Sequence, residues 1–255
     1  MRSLFFCFNF VLFSGILTFI SVGCSTADKI NADTPEGAFA IGNKFEKDER
    51  YEEAISQYND VSNKFPYSSL ALEAKLRIAD IYFKRESYIE AQTSYEIFKE
   101  FHPRHPRIDY VTFQLALSYF HQLPDSIDRD LSIANKAIVY FDEVADSYSG
   151  SEFSQKAKEY KEKCLKMLAD KELYIADFYF IRDQYLSSLG RFEDLLEKYP
   201  NLGYEPRALY GAAVSAHHLK DREKYNRYFN LLVAEYPDST ETKKIKTELS
   251  YDLPE

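Results

Sequence analysis

The chain has 255 residues, with 32 Lys and Arg against 41 Asp and Glu, a formal net charge of −9. No basic stripe is present, which excludes the usual nucleic-acid binder, and the acidic balance argues against lying on anionic lipid through charge. With 45% hydrophobic residues the length is ample for a buried core, and only 8 Gly and 9 Pro exclude a Gly-rich turn architecture.

The first element is a targeting segment. Arg2 precedes an apolar run from Leu4 to Ile20 that is broken by Asn9, Ser14 and Thr18. The run is short and interrupted for a membrane span, which needs about 20 apolar residues. A basic start, an apolar middle and small residues before a cut make a secretory signal over 1–23. Ser21-Val22-Gly23-Cys24 resembles a bacterial lipobox, in which the Cys is acylated and becomes the mature N-terminus, although Ser21 stands where Leu is usual. A plain signal or an uncleaved anchor is the other reading. By the same resemblance Ser25, which is not Asp, directs the lipoprotein to the outer membrane. Residues 24–35 then read as a polar tether with a lipid, such as palmitate, on Cys24. Cys7 leaves with the signal, so Cys164 is the one thiol of the mature domain and reads as a small buried apolar residue.

The rest of the chain repeats itself. Pro66 and Pro103 lie 37 residues apart, as do Pro200 and Pro237, with a gap of 97 between the two sets. Each closes an amphipathic helix. Registered on these prolines, Ala54, Tyr58 and Val61 recur as Ala91, Tyr95 and Phe98, as Ala137, Phe141 and Val144, as Phe192 and Leu195, and as Phe229 and Leu232. Upstream of each set stand Ile41-Gly42, Ile78-Ala79, Leu115-Ala116, Ile175-Ala176 and Ala212-Ala213. This is the tetratricopeptide (TPR) pattern, in which small residues let two antiparallel helices approach and rings fill the gap to the next pair. The sequence therefore predicts an all-α superhelical solenoid of about five helix pairs. Repeats 1 and 2 fall in 36–106, repeat 3 in 107–151 and repeats 4 and 5 in 152–255. Repeat 3 contains an inserted loop at 122–132 whose Asp125, Asp128, Arg129 and Asp130 have no assignable role. Residues 152–187 are expected as one long helix or two nearly continuous ones. First helices line the concave face, and the register puts Phe39, Asn43 and Glu46, then Asp80, Phe83 and Lys84, at exposed positions there. They form a candidate groove for an extended peptide, with inter-repeat packing as the competing role of Phe39 and Phe83.

Chemistry is sparse. In HPRHPRIDYV, residues 102–111, His102 and His105 stand three apart like a metal pair. Pro103 and Pro106 account for the stretch as a helix–helix connection that needs no metal. His217 and His218 are adjacent and point apart, and His121 stands alone. No phosphate loop, G-x-S-x-G or H-E-x-x-H motif occurs, so no enzyme, cofactor or metal is expected.

HPRHPRIDYV also resembles a segment of the BamD (YfiO) family of outer-membrane lipoproteins, through Pro103, His105, Pro106, Ile108, Asp109, Tyr110 and Val111. EAQTSYEIFKEFHP before it and residues 172–200 resemble the family's second and fourth repeats. The resemblance implies a non-enzymatic component of the β-barrel assembly (BAM) complex, lipid-anchored on the periplasmic face of the outer membrane. It implies C-terminal repeats docked on a POTRA domain of BamA, N-terminal repeats that receive unfolded β-barrel proteins, and contacts with other BAM lipoproteins. Arg191 matches the Arg that in the family faces an acidic POTRA residue. The competing function is another periplasmic TPR lipoprotein scaffold, a pilotin or a division adaptor.

Overall fold

A computed structural model describes residues 31–248. The signal segment, Cys24 and most of the tether lie outside the described residues, as do residues 249–255. Eleven helices follow one another: α1 (Pro35–Lys47), α2 (Tyr51–Lys64), α3 (Ser69–Lys84), α4 (Tyr88–Phe101), α5 (Ile108–Phe120), α6 (Ala134–Ser147), α7 (Ser154–Phe180), α8 (Tyr185–Lys198), α9 (Glu205–His218), α10 (Arg222–Glu235) and α11 (Thr240–Glu248). No strand occurs among the described residues. Each helix packs on its chain neighbours, so α1/α2 through α9/α10 form the five pairs of a TPR solenoid and α11 follows the last.

The ends of the helices are chemically marked. Thr34 Oγ1 accepts from the Gly37 amide at 3.1 Å, with Pro35 in the first turn. Four of the first helices end in the same way. The amides of Arg50, Ser87, Gln184 and Asp221 reach back to the carbonyls of Phe45, Tyr82, Tyr179 and Ala216. Glu49, Glu86, Asp183 and Lys220 before them sit at φ of 57° to 60°. This is the Schellman closure with a side-chain-bearing residue where glycine is the comfortable choice. The same closure stops α7 at Phe180, so 152–187 is not continuous helix: a turn at 181–184 separates α7 from α8.

The rings that set the register, Tyr58, Tyr95, Phe141 and Phe192, are all 0% exposed. A Cβ on Gly42 would meet the Tyr58 ring at 2.6 Å, and one on Gly211 would meet the Phe192 ring at 2.2 Å. Repeat 4 has Ser188 where repeats 1 to 3 have Ala54, Ala91 and Ala137, and its hydroxyl is satisfied at 2.8 Å by Ser215 of α9. Phe229 departs from the pattern. It is only partly buried, because the nine-residue α11 covers less than a full repeat would.

Three apolar clusters run along the solenoid, and α7 belongs to two of them. Ala157 and Cys164 complete the middle cluster, whereas Ala169 and Ala176 belong to the last. The 27-residue α7 is thus a strut, which accounts for the long gap between the proline sets. The packing boundary runs through α7 rather than at 151, where the repeat count divided the chain. Burial pushes the Cys164 thiol up to about 12, so it is no nucleophile. The inserted loop is pinned by buried Leu131 and by Lys171, which donates to the Arg129 carbonyl.

Two substitutions test these contacts. Gly211→Ala should lower stability by about 1–3 kcal/mol through overpacking against Phe192. Lys220→Gly should raise it by roughly 1 kcal/mol by relieving the left-handed backbone. Urea unfolding of each variant checks both signs.

Candidate functional site

The concave candidates separate into two kinds. Phe39 is buried, its ring 5.3 Å from Tyr58, so the register's placement of it among the exposed positions is corrected: it fills the space beside the small residues of α1. Phe83 is half-buried, edge-on to Tyr88 and His121. Asn43, Glu46 and Lys84 do share an open cavity of about 330 Å³, and the structure adds Arg77 and Lys47 to its lining. The Tyr58 hydroxyl donates toward Glu46 Oε2 at 2.6 Å and Asn43 Oδ1 at 2.7 Å, which aims both polar groups along the groove wall. Arg77 stands 3.8 Å from Glu46 and 3.2 Å from Glu73. The groove is therefore a set of opposed charges with a tyrosine behind them. Arg77 was missed because TPR register ranks positions by size, and a charge on the first helix gives no periodic signal.

Lys84 has a second relation that recurs. Its ammonium lies 5.3 Å over the Tyr51 ring. His121 stacks on Tyr88 at 4.8 Å, and His218 stacks on Tyr185 at 4.1 Å. In each pair the nitrogen base follows the tyrosine by 33 residues. The base ends a first helix and the ring starts the preceding second helix, so the contact staples adjoining repeats along one edge.

Asp80 belongs to the connection, not to the open groove. Its Oδ1 accepts from Tyr95 at 2.7 Å and from Tyr110 at 2.9 Å. Gln114 Nε2 donates to the Tyr110 hydroxyl at 3.0 Å, and the Arg107 guanidinium lies 4.7 Å over the Tyr110 ring and 3.3 Å from Glu73. Asp109 accepts from the Tyr110 amide at 2.8 Å and from Ser151 Oγ at 2.7 Å. Val111 is fully buried, and Ile108 packs on the same cluster. His102 and His105 both stand edge-on to Phe98, near 5 Å from its centroid, and His105 Nδ1 accepts from the Arg107 amide. Pro103 and Pro106 flank that turn. The IDYV stretch is thus the knot that ties α3, α4, α5 and the turn before α7 together. Among the described residues no grouping of three His, Cys, Asp or Glu is placed to hold a metal.

Arg191 lies on α8 beside buried Phe192. Its Nη1 is 3.0 Å from Glu172 Oε2 of α7, and its side chain is 40% exposed. On the far side of α8 is the largest cavity described, about 590 Å³ between α8 and α10. Its walls carry Glu193, Glu205 and Lys224 over an apolar floor of Leu196, Leu209 and Leu231.

A family model described as "YfiO: Outer membrane lipoprotein" matches residues 31–228. The outer membrane protein assembly factor BamD of Caulobacter vibrioides is 26% identical over 160 residues, covering 63% of this chain and 52% of its own length. The protein of the same name from Neisseria meningitidis serogroup A is 26% identical, covering 62% of this chain and 63% of its own. The chain thus spans between half and two-thirds of the length of these curated relatives. Among solved structures, one described as "TPR2AB-domain:pHSP90-complex of yeast Sti1" matches at a TM-score of 0.45 with 14% identity, covering 87% of this chain and 86% of its own.

Burial raises the Asp80 carboxyl above its ordinary range, against the lowering effect of its two phenol partners and of Arg107 and Arg77. The folded chain therefore holds this proton more tightly than the unfolded one. The group's stabilising contribution is full below the unfolded pKa of about 3.9 and is lost as pH rises through the folded one. Asp80→Asn keeps an acceptor for both phenols, so it should cost under about 1 kcal/mol at neutral pH and flatten that part of the stability curve. Asp80→Ala should cost about 2–4 kcal/mol by orphaning two buried hydroxyls. Thermal unfolding of both variants between pH 4 and 8 separates these outcomes.

Proposed function

The chain belongs to the YfiO family of outer membrane lipoproteins, and from that membership we propose that it is a lipid-anchored adaptor of β-barrel assembly in the outer membrane. The observation that carries the reading is the family match over 31–228, which includes the Asp80–Tyr110 knot that no generic TPR scaffold requires. The relatives are named as assembly factors, and nothing in those names describes a catalyst. Cys24 is the proposed point of lipid attachment. No described helix is long and apolar enough to cross a membrane.

In this reading the C-terminal repeats dock on a POTRA domain of BamA, with Arg191 facing an acidic group. Glu172 already holds the guanidinium, so a partner carboxylate would join or replace it, and the partly exposed position leaves room for that exchange. The N-terminal groove of Asn43, Glu46, Arg77 and Lys84 receives an unfolded barrel segment. Its paired charges suit an extended main chain, which offers both donors and acceptors. Contacts with other BAM lipoproteins complete the assignment.

Depleting the chain in its own bacterium should lower outer-membrane barrel proteins while leaving other lipoproteins in place; unchanged barrel proteins would favour a pilus or division scaffold. Cys24→Ala should shift the chain out of the outer-membrane fraction. Arg191→Glu should weaken BamA co-purification by the equivalent of about 2–5 kcal/mol, through repulsion from both Glu172 and the partner acid. Glu172→Gln, which keeps the arginine, should retain docking; equal loss from both variants would assign Arg191 a structural role only.

A further inference from the structure

Net charge argues against adhesion of the chain as a whole to anionic lipid, but the charge is not evenly spread. The helices α1, α3 and α5 start, and α2 and α4 end, at one edge of the solenoid. At this edge Tyr67 is 102% exposed and Phe101 is 69% exposed. A groove of about 240 Å³ opens there between α2 and α4 over α3. Its wall is Ile78, Ile97, Phe98 and Phe101, and its polar lining is Asn59, Ser94, Lys75 and His102, with no carboxylate. The other grooves differ: Glu46 lines the concave one, Glu96 and Glu100 line the one above α5, and Glu193 and Glu205 line the one between α8 and α10. Arg104 is exposed in the adjoining turn, and among the described residues neither it nor Lys75 has a carboxylate within ion-pair distance. Lys64, at the end of α2, is matched by Asp60 at 3.3 Å.

The tether adds a distance limit. Asn31, whose carbonyl bonds the Thr34 amide at the start of α1, lies seven residues on from Cys24. Fully extended they span at most about 25 Å. If Cys24 is acylated, the edge where α1 starts is held within that reach of the bilayer. The edge so held carries the bare rings Tyr67 and Phe101 and the cations Lys75 and Arg104, with Asp33, Glu36 and Glu100 as its exposed carboxylates.

We propose that this edge of repeats 1 and 2 rests on the anionic phospholipid surface, with Tyr67 and Phe101 at headgroup depth and Lys75 and Arg104 on phosphates. The inference rests on the lipid-anchor reading of Cys24. Aromatic rings with a polar rim settle at the membrane interface, and basic side chains add attraction to anionic headgroups. The contact would fix the solenoid's orientation and leave the opposite edge, with Ile89 and Leu186, free for proteins.

The test uses the full lipidated chain in phosphatidylethanolamine vesicles with or without phosphatidylglycerol. A fluorophore is placed singly through Tyr67→Cys, Phe101→Cys, Ile89→Cys or Leu186→Cys; Cys164 is buried and stays unlabelled. Quenching by nitroxide-bearing lipid should be strong at 67 and 101, weak at 89 and 186, and greater with phosphatidylglycerol. Lys75→Glu with Arg104→Glu should abolish the phosphatidylglycerol increment. Equal quenching at the two edges, or an increment that survives the charge reversal, overturns the proposal. Protection of 67 and 101 that requires a protein partner and not lipid overturns it too, by making the edge a protein interface. A chain that fails to float with vesicles overturns the anchor reading and this one together, whereas a floating chain with unquenched rings overturns this one alone.

Discussion

Tyr58 against Gly42 and Phe192 against Gly211 are contacts in which a ring occupies the space that a Cβ would need. That approach sets how close neighbouring helices lie, and every other feature is arranged around it. With the ring fixed, its hydroxyl at the end of a buried side chain finds a fixed partner at the groove wall. Tyr58 takes Glu46 and Asn43, Tyr95 takes Asp80, and Tyr228 takes Glu193 at 2.6 Å. Two of the carboxylates that accept these phenols, Glu46 and Glu193, then line grooves, whereas Asp80 ties the α3–α4–α5 connection. Packing and surface chemistry are linked through the same side chains, so the groove walls are rigid for the reason that the core is.

The long helix shows how the pattern is broken without being lost. Residues 121–133 and the 27-residue α7 interrupt the regular unit between repeats 3 and 4. The strut carries the middle cluster at one end and the last cluster at the other. The N-terminal and C-terminal repeats are thereby joined by one continuous helix, whose residues Ala157, Cys164, Ala169 and Ala176 are all small and fully buried. A shift of α7 would be felt in both halves, which is a simple physical route for one end to sense the other.

Much of the fold was legible because it rests on periodic size. The prolines, the Ala and Gly positions and the rings recur at fixed intervals, and the structure seats them as the intervals require. The connection at Pro103 and Pro106 was also readable, since proline fixes a turn by itself, and the structure places His102 and His105 against Phe98 in that turn. What was not legible depends on pairing across helices. Phe39 carries an exposed register number but turns into the core because Tyr58 offers it a face. Asp80 has a groove position by spacing, yet two phenols from α4 and α5 claim its carboxylate. Arg77 and Glu172 have no periodic signature, and their importance emerges only when the facing helix is known. Between the two readings of 152–187, the structure gives two nearly continuous helices, divided at a turn in which Asp183 adopts the left-handed conformation without being glycine.

The family membership carries the proposed account, an anchored adaptor whose two ends face different partners. The measurement that tests it most directly is isolation of the chain from outer membranes in mild detergent, with mass spectrometry of everything that stays bound. The account predicts a stoichiometric large barrel protein with tandem POTRA domains. A chain that comes alone, or with pilus or division proteins instead, would contradict it.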